Sequence, residues 1–293
     1  MEIISSIPEL RRRIEAFRAG GAGPGTEPGS LSVGFVPTMG WLHNGHLALV
    51  RTARKADDLV VVSIFVNPIQ FGPGEDYDRY PRDLERDAGM TSAAEADLLF
   101  VPSTAEMYPV GHSTTVEVVG GLTGHLCGAS RPGHFRGVTT VVAKLLNIVR
   151  PRRAYFGWKD AQQLLVVRRM VRDLNLGVEI VGVPTVREPD GLAMSSRNGY
   201  LSGQERLAAR AIPRSLERVR FMIQNGERDA ATIRREAAGI VAAEPLLAID
   251  YLAVVDGNTL EEIERIRGTV MVALAVHAGK TRLIDNIRME VGG

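Results

Sequence analysis

Apolar and polar positions along the chain follow two periods. From Ile4 to Phe17 the apolar residues Ile7, Leu10, Ile14 and Phe17 recur every three or four positions, which predicts an amphipathic helix starting near Ser6 or Pro8. Residues 20–30, GGAGPGTEPGS, carry no period, and their glycines and prolines predict a mobile loop. LSVGFVP follows, an apolar run closed by Pro37; then comes a helical pattern from His46 to Ala56, then LVVVSIFV from Leu59 to Val66. A strand covered on both faces reads as a continuous apolar run, not as an alternation. Strand, turn, helix and strand therefore predict a βαβ unit. ADLLFVP, RRAYFG and VEIVGVP, ending near Pro102, Gly157 and Pro184, predict further strands, with helices around Gly137 to Val149 and Asp160 to Asp173. Five strands with intervening helices predict an α/β fold built on a doubly wound parallel sheet.

After about Pro184 the pattern changes. Ser202 and Glu205 have capping-box spacing for a helix running to about Ile223, and Asp229 is placed to cap the next. IDYLAVVD, TVMVALAVH and TRLIDNIRM, separated by Gly and Asn turns, predict short antiparallel strands. The expected organisation is a Rossmann-like domain over residues 1–186, binding the ligands, and a smaller α+β domain over residues 187–293, acting as a lid.

Composition narrows the function classes. With 45% hydrophobic and 24% charged residues the chain has the make-up of a globular protein. A formal net charge of +1 offers no bulk attraction for a polyanion, so nucleic acid is not an expected partner. No apolar run approaches the roughly 18 residues of a membrane span, so no membrane partner is expected. Cys127 is the single cysteine, which suits a reducing compartment, and the N-terminus lacks the basic start and apolar core of a signal peptide. The cytoplasm is the expected location.

Candidate chemistry gathers where predicted strands end, the ligand edge of a doubly wound sheet. PTMGWLHNGH, Pro37 to His46, joins a turn to a helix start, with Asn44 capping or beginning the helix. Its histidines, His43 and His46, are three apart and so fall on one side of the first turn, where they can donate hydrogen bonds to phosphate oxygens. The alternatives are two solvent-facing or core histidines, or a zinc pair, although no further ligands stand at a characteristic spacing. VNPIQF places Asn67 and Gln70 at the same edge, two uncharged amides suited to a carboxylate or hydroxyl substrate, with simple turn capping by Asn67 as the other reading.

FGWKDAQQL sets Gly157, Lys159, Asp160 and Gln163 at another strand-to-helix junction, and Lys159 is one of only four lysines among 35 basic residues. Its mobile ammonium suits a phosphate and Asp160 suits ribose hydroxyls; a helix-dipole aspartate beside an exposed lysine is the alternative. Met194, Ser195, Ser196 and Arg197, between turn signals at Asp190-Gly191 and Arg197-Asn198-Gly199, offer hydroxyls and a cation for a phosphate tail, or form a polar interdomain turn. Arg131 and His134 precede a helix whose Val141 and Val142 line a pocket or simply face the core. Asp83 and Asp87 read as helix-surface acids, and Cys127 as an inert buried thiol.

Taken together, PTMGWLHNGH, SIFVNPIQFG, YPRDLERD, MYP, RPGHFRGV, YFGWKDAQQL, VGVPTVREPDGLAMSSRN and TRLIDN resemble the pantothenate synthetase family, the pantoate-beta-alanine ligases of the HxGH nucleotidyltransferase superfamily. The resemblance implies ATP-dependent joining of pantoate and beta-alanine, with Mg2+, through a pantoyl adenylate, in a homodimer. It implies catalytic roles for His43, His46, Lys159, Ser195, Ser196 and Arg197. It implies ATP contacts from those residues with Pro37, Thr38, Met39, Gly157, Asp160, Val186 and Met194. Pantoate contacts are implied for Gln70 and Gln163 with Met39, Val141 and Val142, beside Asn67, Arg131 and His134 as further substrate-binding candidates. The chain departs from the family at Trp158 and Ala161, where Glu and Tyr are common, and at Cys127, where an acid is common.

Overall fold

The computed structural model describes residues 1–20 and 31–292. The loop expected at residues 20–30 lies outside them except for Gly20, which ends a helix.

The chain forms two compact units. The first comprises Met1–Val118, Gly133–Trp158 and Val166–Pro184; the second comprises Val119–Pro132, Lys159–Leu165 and Thr185–Gly293. Where a single boundary at residues 186–187 was expected, two earlier segments group with the C-terminal part.

In the first unit, strands β1 (Glu2–Ile4), β2 (Val33–Thr38), β3 (Leu59–Ile64), β4 (Leu98–Phe100), β5 (Arg153–Gly157) and β6 (Glu179–Val183) form one parallel sheet in the order β1-β4-β3-β2-β5-β6. From β2 the chain winds outward to one side through β3 and β4, then to the other through β5 and β6, so the order reverses at β2. Val60, Val61 and Val62 are wholly buried, as strands covered on both faces require. Against one face, Val36, Val60, Val62, Leu99 and Tyr155 pack with Leu47, Val50 and Ala53 of the helix Asn44–Ala56. The helix His134–Val149 packs on β2 and on the helix Ile7–Gly20.

The α/β expectation thus holds, with one strand more than predicted. β1 was missed because three residues are too few to show a period. It lies at the sheet edge, parallel to β4, with Ile4 buried and Ile3 half exposed.

In the second unit, β7 (Leu247–Asp256), β8 (Gly268–Ala278) and β9 (Thr281–Val291) form an antiparallel sheet joined by consecutive hairpins. Val254, Val272, Leu274 and Val276 share a core with Ile212, Leu216, Val219 and Ile223 of the helix Ala211–Gln224 and with Ile233, Ala237 and Val241 of the helix Ala230–Ala242. The Ser202–Glu205 capping box is present, and Asp229 caps the last helix through the Thr232 N–H. The helix expected to run unbroken to Ile223 instead stops at Ala209 and restarts at Ala211. Pro213 accounts for the break: it has no N–H to donate to Ala209, and its ring clashes with that carbonyl in a continuous helix.

Candidate active site

β2 ends at Thr38, whose hydroxyl donates to the Ser63 carbonyl (2.7 Å) and accepts the Gly40 N–H (3.2 Å). Gly40 and Trp41 then turn through the left-handed region at φ 84° and 48°. For tryptophan this costs about 1–2 kcal/mol, so the turn must be held from outside. Asp87 does so: its carboxylate accepts the N–H of Trp41 (2.6 Å) and of Leu42 (2.8 Å). Arg86 pairs with Asp87 (3.0 Å), donates to the Leu42 carbonyl (2.7 Å) and lies over the Trp41 ring. Asp87 is 1% exposed, which corrects its reading as a surface acid, whereas Asp83 caps its helix as a first-turn acid does. Asp87 carried no sequence signal of this role because its partners are main-chain groups more than forty positions away.

The turn delivers His43 as the N-cap of the helix Asn44–Ala56, which Asn44 begins. The two histidines form a reciprocal capping box. His43 Nδ1 accepts the Gly45 N–H (3.1 Å), and His46 Nδ1 accepts the His43 N–H (3.3 Å). A neutral imidazole whose Nδ1 is an acceptor carries its proton on Nε2. The helix start therefore sets one tautomer for both rings, which lie side by side with centroids 4.0 Å apart. Both rings are half-buried, and each has an Nε2–H donor suited to an anion.

Past β3, Asn67 and Gln70 are buried, at 1% and 8% exposure. The Asn67 amide spends both N–H groups inside the protein, on Gln70 Oε1 (3.1 Å) and on the Gly137 carbonyl (3.1 Å), and its oxygen accepts from the Tyr108 hydroxyl (2.8 Å). Asn67 accordingly holds Gln70 in place. Gln70 Nε2 meets Met39 Sδ at 2.9 Å, and His134 Nδ1, facing an oxygen that can only accept, donates to the Gln70 carbonyl (2.9 Å). Val141 and Val142 are buried on the helix His134–Val149.

That helix meets the Gln70 turn at Gly137, where a Cβ would lie 2.4 Å from the Ile69 carbonyl oxygen and 2.5 Å from the Gln70 Cα. Gly137→Ala is expected to destabilise the fold by about 1–3 kcal/mol, the usual cost of overpacking, read as a lower midpoint in urea. An unchanged midpoint would show that the turn yields freely.

β5 ends at Gly157, half-buried, and hands the chain to the turn Trp158–Asp160. In the second unit, Asn286 Nδ2 donates to the Lys159 carbonyl (3.0 Å), and the Lys159 ammonium stands 3.8 Å from Asp160, whose side chain is 48% exposed. Gln163 is half-buried, with no hydrogen-bond partner among the described residues. Its neighbour Gln162 is committed instead, accepting from the Cys127 N–H and donating to the Leu122 and His125 carbonyls.

Val186 and Met194 are joined by a main-chain hydrogen bond (2.9 Å) around the Asp190-Gly191 turn. Arg187 is gripped by both Asp285 oxygens (2.6 and 3.0 Å). Ser195 caps the short 3-10 helix Ser196–Tyr200 by accepting the Arg197 N–H. The turn expected at Asn198-Gly199 is taken up in this 3-10 helix, where the Asn198 carbonyl accepts the Leu201 N–H (3.3 Å) and the buried Asn198 side chain donates to Glu188 and to the Ala193 carbonyl. Asp285 and Asn286 on β9 were missed as organisers; two adjacent buried polar residues in an apolar strand were the available sign.

Arg131 belongs to the second unit and His134 to the first. Cys127 is buried, its Sγ 3.3 Å from the Tyr251 hydroxyl and within reach of Arg282, which Asp250 holds at 2.7 Å. Among the described residues no group of three or more His, Cys, Asp or Glu is placed to hold a metal, and no helix is long and apolar enough to cross a membrane.

A family model described as pantoate-beta-alanine ligase matches residues 2–288. The chain is 61% identical over 260 residues to the pantothenate synthetase of Heliobacterium modesticaldum, covering 89% of this chain and 92% of that one. It is 54% identical over 291 residues to that of Moorella thermoacetica, covering 99% of each. Among solved structures it is similar to a pantothenate synthetase from Thermus thermophilus (TM-score 0.90, 50% identity, 100% of each chain). It is also similar to a pantoate-beta-alanine ligase from Francisella tularensis complexed with beta-gamma ATP and beta-alanine (TM-score 0.77, 33% identity, 98% and 97% coverage).

Proposed function

Because this chain belongs to the pantoate-beta-alanine ligase family, we propose that it condenses pantoate with beta-alanine at the expense of ATP, through an enzyme-bound pantoyl adenylate, with its residues sharing the work as follows. The pantoate carboxylate attacks the α-phosphorus and pyrophosphate leaves; the neutral amine of beta-alanine then attacks the activated carbonyl and AMP leaves. No enzyme nucleophile is needed, so catalysis rests on positioning and on stabilising charge.

The observation that carries this reading is the shared tautomer of His43 and His46, two Nε2–H donors that meet building phosphate charge without needing a second proton. Pro37, Thr38 and Met39 line the nucleotide beside them. Lys159 follows the phosphate as it transfers, Gly157 and Asp160 set the ribose, and Val186, Met194, Ser195, Ser196 and Arg197 hold the rest of the nucleotide and its phosphate tail. Gln70 and Gln163 take pantoate, with Met39, Val141 and Val142 as apolar wall and Arg131 and His134 alongside.

Mg2+ arrives with ATP. It keeps most of its ligands on phosphate and water, which fits a donor set of imidazoles, hydroxyls and cations. His43, His46, Lys159 and Ser195 to Arg197 would hold the metal only through the phosphates, whose charge it would neutralise. The protein is a cytoplasmic homodimer, and the full exposure of Val110 in the single chain suits a partner surface.

Purified protein given ATP, Mg2+, pantoate and beta-alanine should release AMP and pantothenate in equal amounts, and EDTA should stop both. Activation of some other acid, or tight ATP binding with no pantothenate formed, would overturn the assignment.

A further inference from the structure

We propose that Tyr108 is a positioning residue for the acid substrate, acting through Asn67 to fix which end of the Gln70 amide faces pantoate. The inference rests on the reading of Gln70 as a pantoate contact.

An amide can turn over and exchange its donor and acceptor ends, and a substrate carboxylate or hydroxyl oxygen is met by only one of them. Here the choice is made at a distance. The Gly137 carbonyl can only accept, so the atom of Asn67 facing it must be nitrogen. The Asn67 oxygen then faces Tyr108, which must donate to it. Burial raises the Tyr108 phenol well above its ordinary value, so the required proton stays in place.

With both Asn67 hydrogens directed inward, the second one reaches Gln70 at an atom that must accept, Oε1. Gln70 is thereby left with its NH2 group away from Asn67, against Met39 Sδ. A thioether is a weak acceptor, so this NH2 is poorly satisfied at home and suited to an oxygen-rich ligand. Donation along a buried chain also polarises each successive donor, so the Tyr108 hydroxyl secures the orientation that the Gly137 carbonyl sets and strengthens the Gln70 N–H.

Tyr108 is itself held firmly. Its N–H donates to the Thr104 carbonyl (2.7 Å), its ring lies 6.0 Å from that of Phe65, and the Lys144 ammonium sits 5.4 Å from the ring centroid. Nothing in this packing needs the hydroxyl, which donates to Asn67.

Tyr108→Phe removes only that hydroxyl. The expected result is an increase in the pantoate KM of about fivefold to tenfold, the scale of one buried hydrogen bond, with kcat and the KM values for ATP and beta-alanine within about twofold and an unfolding midpoint close to that of the parent. The same change is then made in Gln70→Ala. If Tyr108 acts through Gln70, the second substitution adds nothing further to the pantoate KM. Full additivity, an unchanged KM in Tyr108→Phe, or a Tyr108→Phe chain that fails to fold would each overturn the relay. A Gln70→Ala protein with an unaltered pantoate KM would instead overturn the assignment of Gln70 itself.

Discussion

Replacing Lys159 by alanine is expected to slow pantoyl adenylate formation by about a hundredfold to a thousandfold, the usual loss on removing one preorganised charge-stabilising donor, while leaving the fold intact. The turn that presents Lys159 does not depend on its side chain, since Asn286 holds the main-chain carbonyl. The ammonium pairs with Asp160 at 3.8 Å. A pair of that length to a half-exposed carboxylate contributes at most about 1 kcal/mol. Lys159→Arg should recover little, because a planar guanidinium cannot follow a moving phosphoryl group as a compact ammonium does. Single-turnover release of pyrophosphate, with ATP and pantoate saturating, reads the step directly. A rate within tenfold of the parent would remove Lys159 from the chemistry.

The second large effect is expected from Asp87→Ala, a residue that is no proposed substrate contact itself but holds the main chain just before His43. Two main-chain N–H groups lose their acceptor, each at a cost of about 1–3 kcal/mol when buried, and a left-handed Trp41 loses what holds it. The protein should unfold at lower urea, by about 3 kcal/mol. In the fraction that remains folded, kcat should fall by about a hundredfold, because small displacements of a positioned group are costly in rate. Asp87→Asn keeps one acceptor oxygen and should lie between the two. Loss of stability with kcat unchanged in the folded protein would mean that the histidines keep their places without Asp87.

What could be read from the sequence, and what could not, divides by the range of the interactions involved. Buried parallel strands such as LVVVSIFV announce themselves, because continuous apolar residues have few other uses. The Ser202–Glu205 and Asp229 caps were legible because both partners lie within three residues. The His43–His46 pair was legible as a pair on one side of a turn, although the cap itself fell to His43 and Asn44 only begins the helix. Asp87, Asn286 and the Gln70–Asn67–Tyr108 chain were not legible in these roles. Each acts through a contact between segments tens of residues apart, and a lone Asp, Asn or Tyr has no local pattern that tells a buried clamp from a surface residue. Pro213 is a different case: the sequence displays it openly, and the helix break follows from its missing N–H.

The central place of β2 in the sheet also has a kinetic consequence. β2 pairs with β3 within some thirty residues, but its other edge waits for β5, where Gly34 meets Arg153 and Phe35 meets Ala154. During synthesis, a strand of mostly buried residues therefore stands with one edge open until more than a hundred further residues have emerged. Pairings so distant in sequence form late and slowly, and an open apolar edge invites strands from other chains. The histidine turn hangs from the end of this strand. Yield of soluble, active protein should accordingly depend on how fast the 153–157 segment reaches β2, and shorter nascent chains should be the ones that chaperones hold.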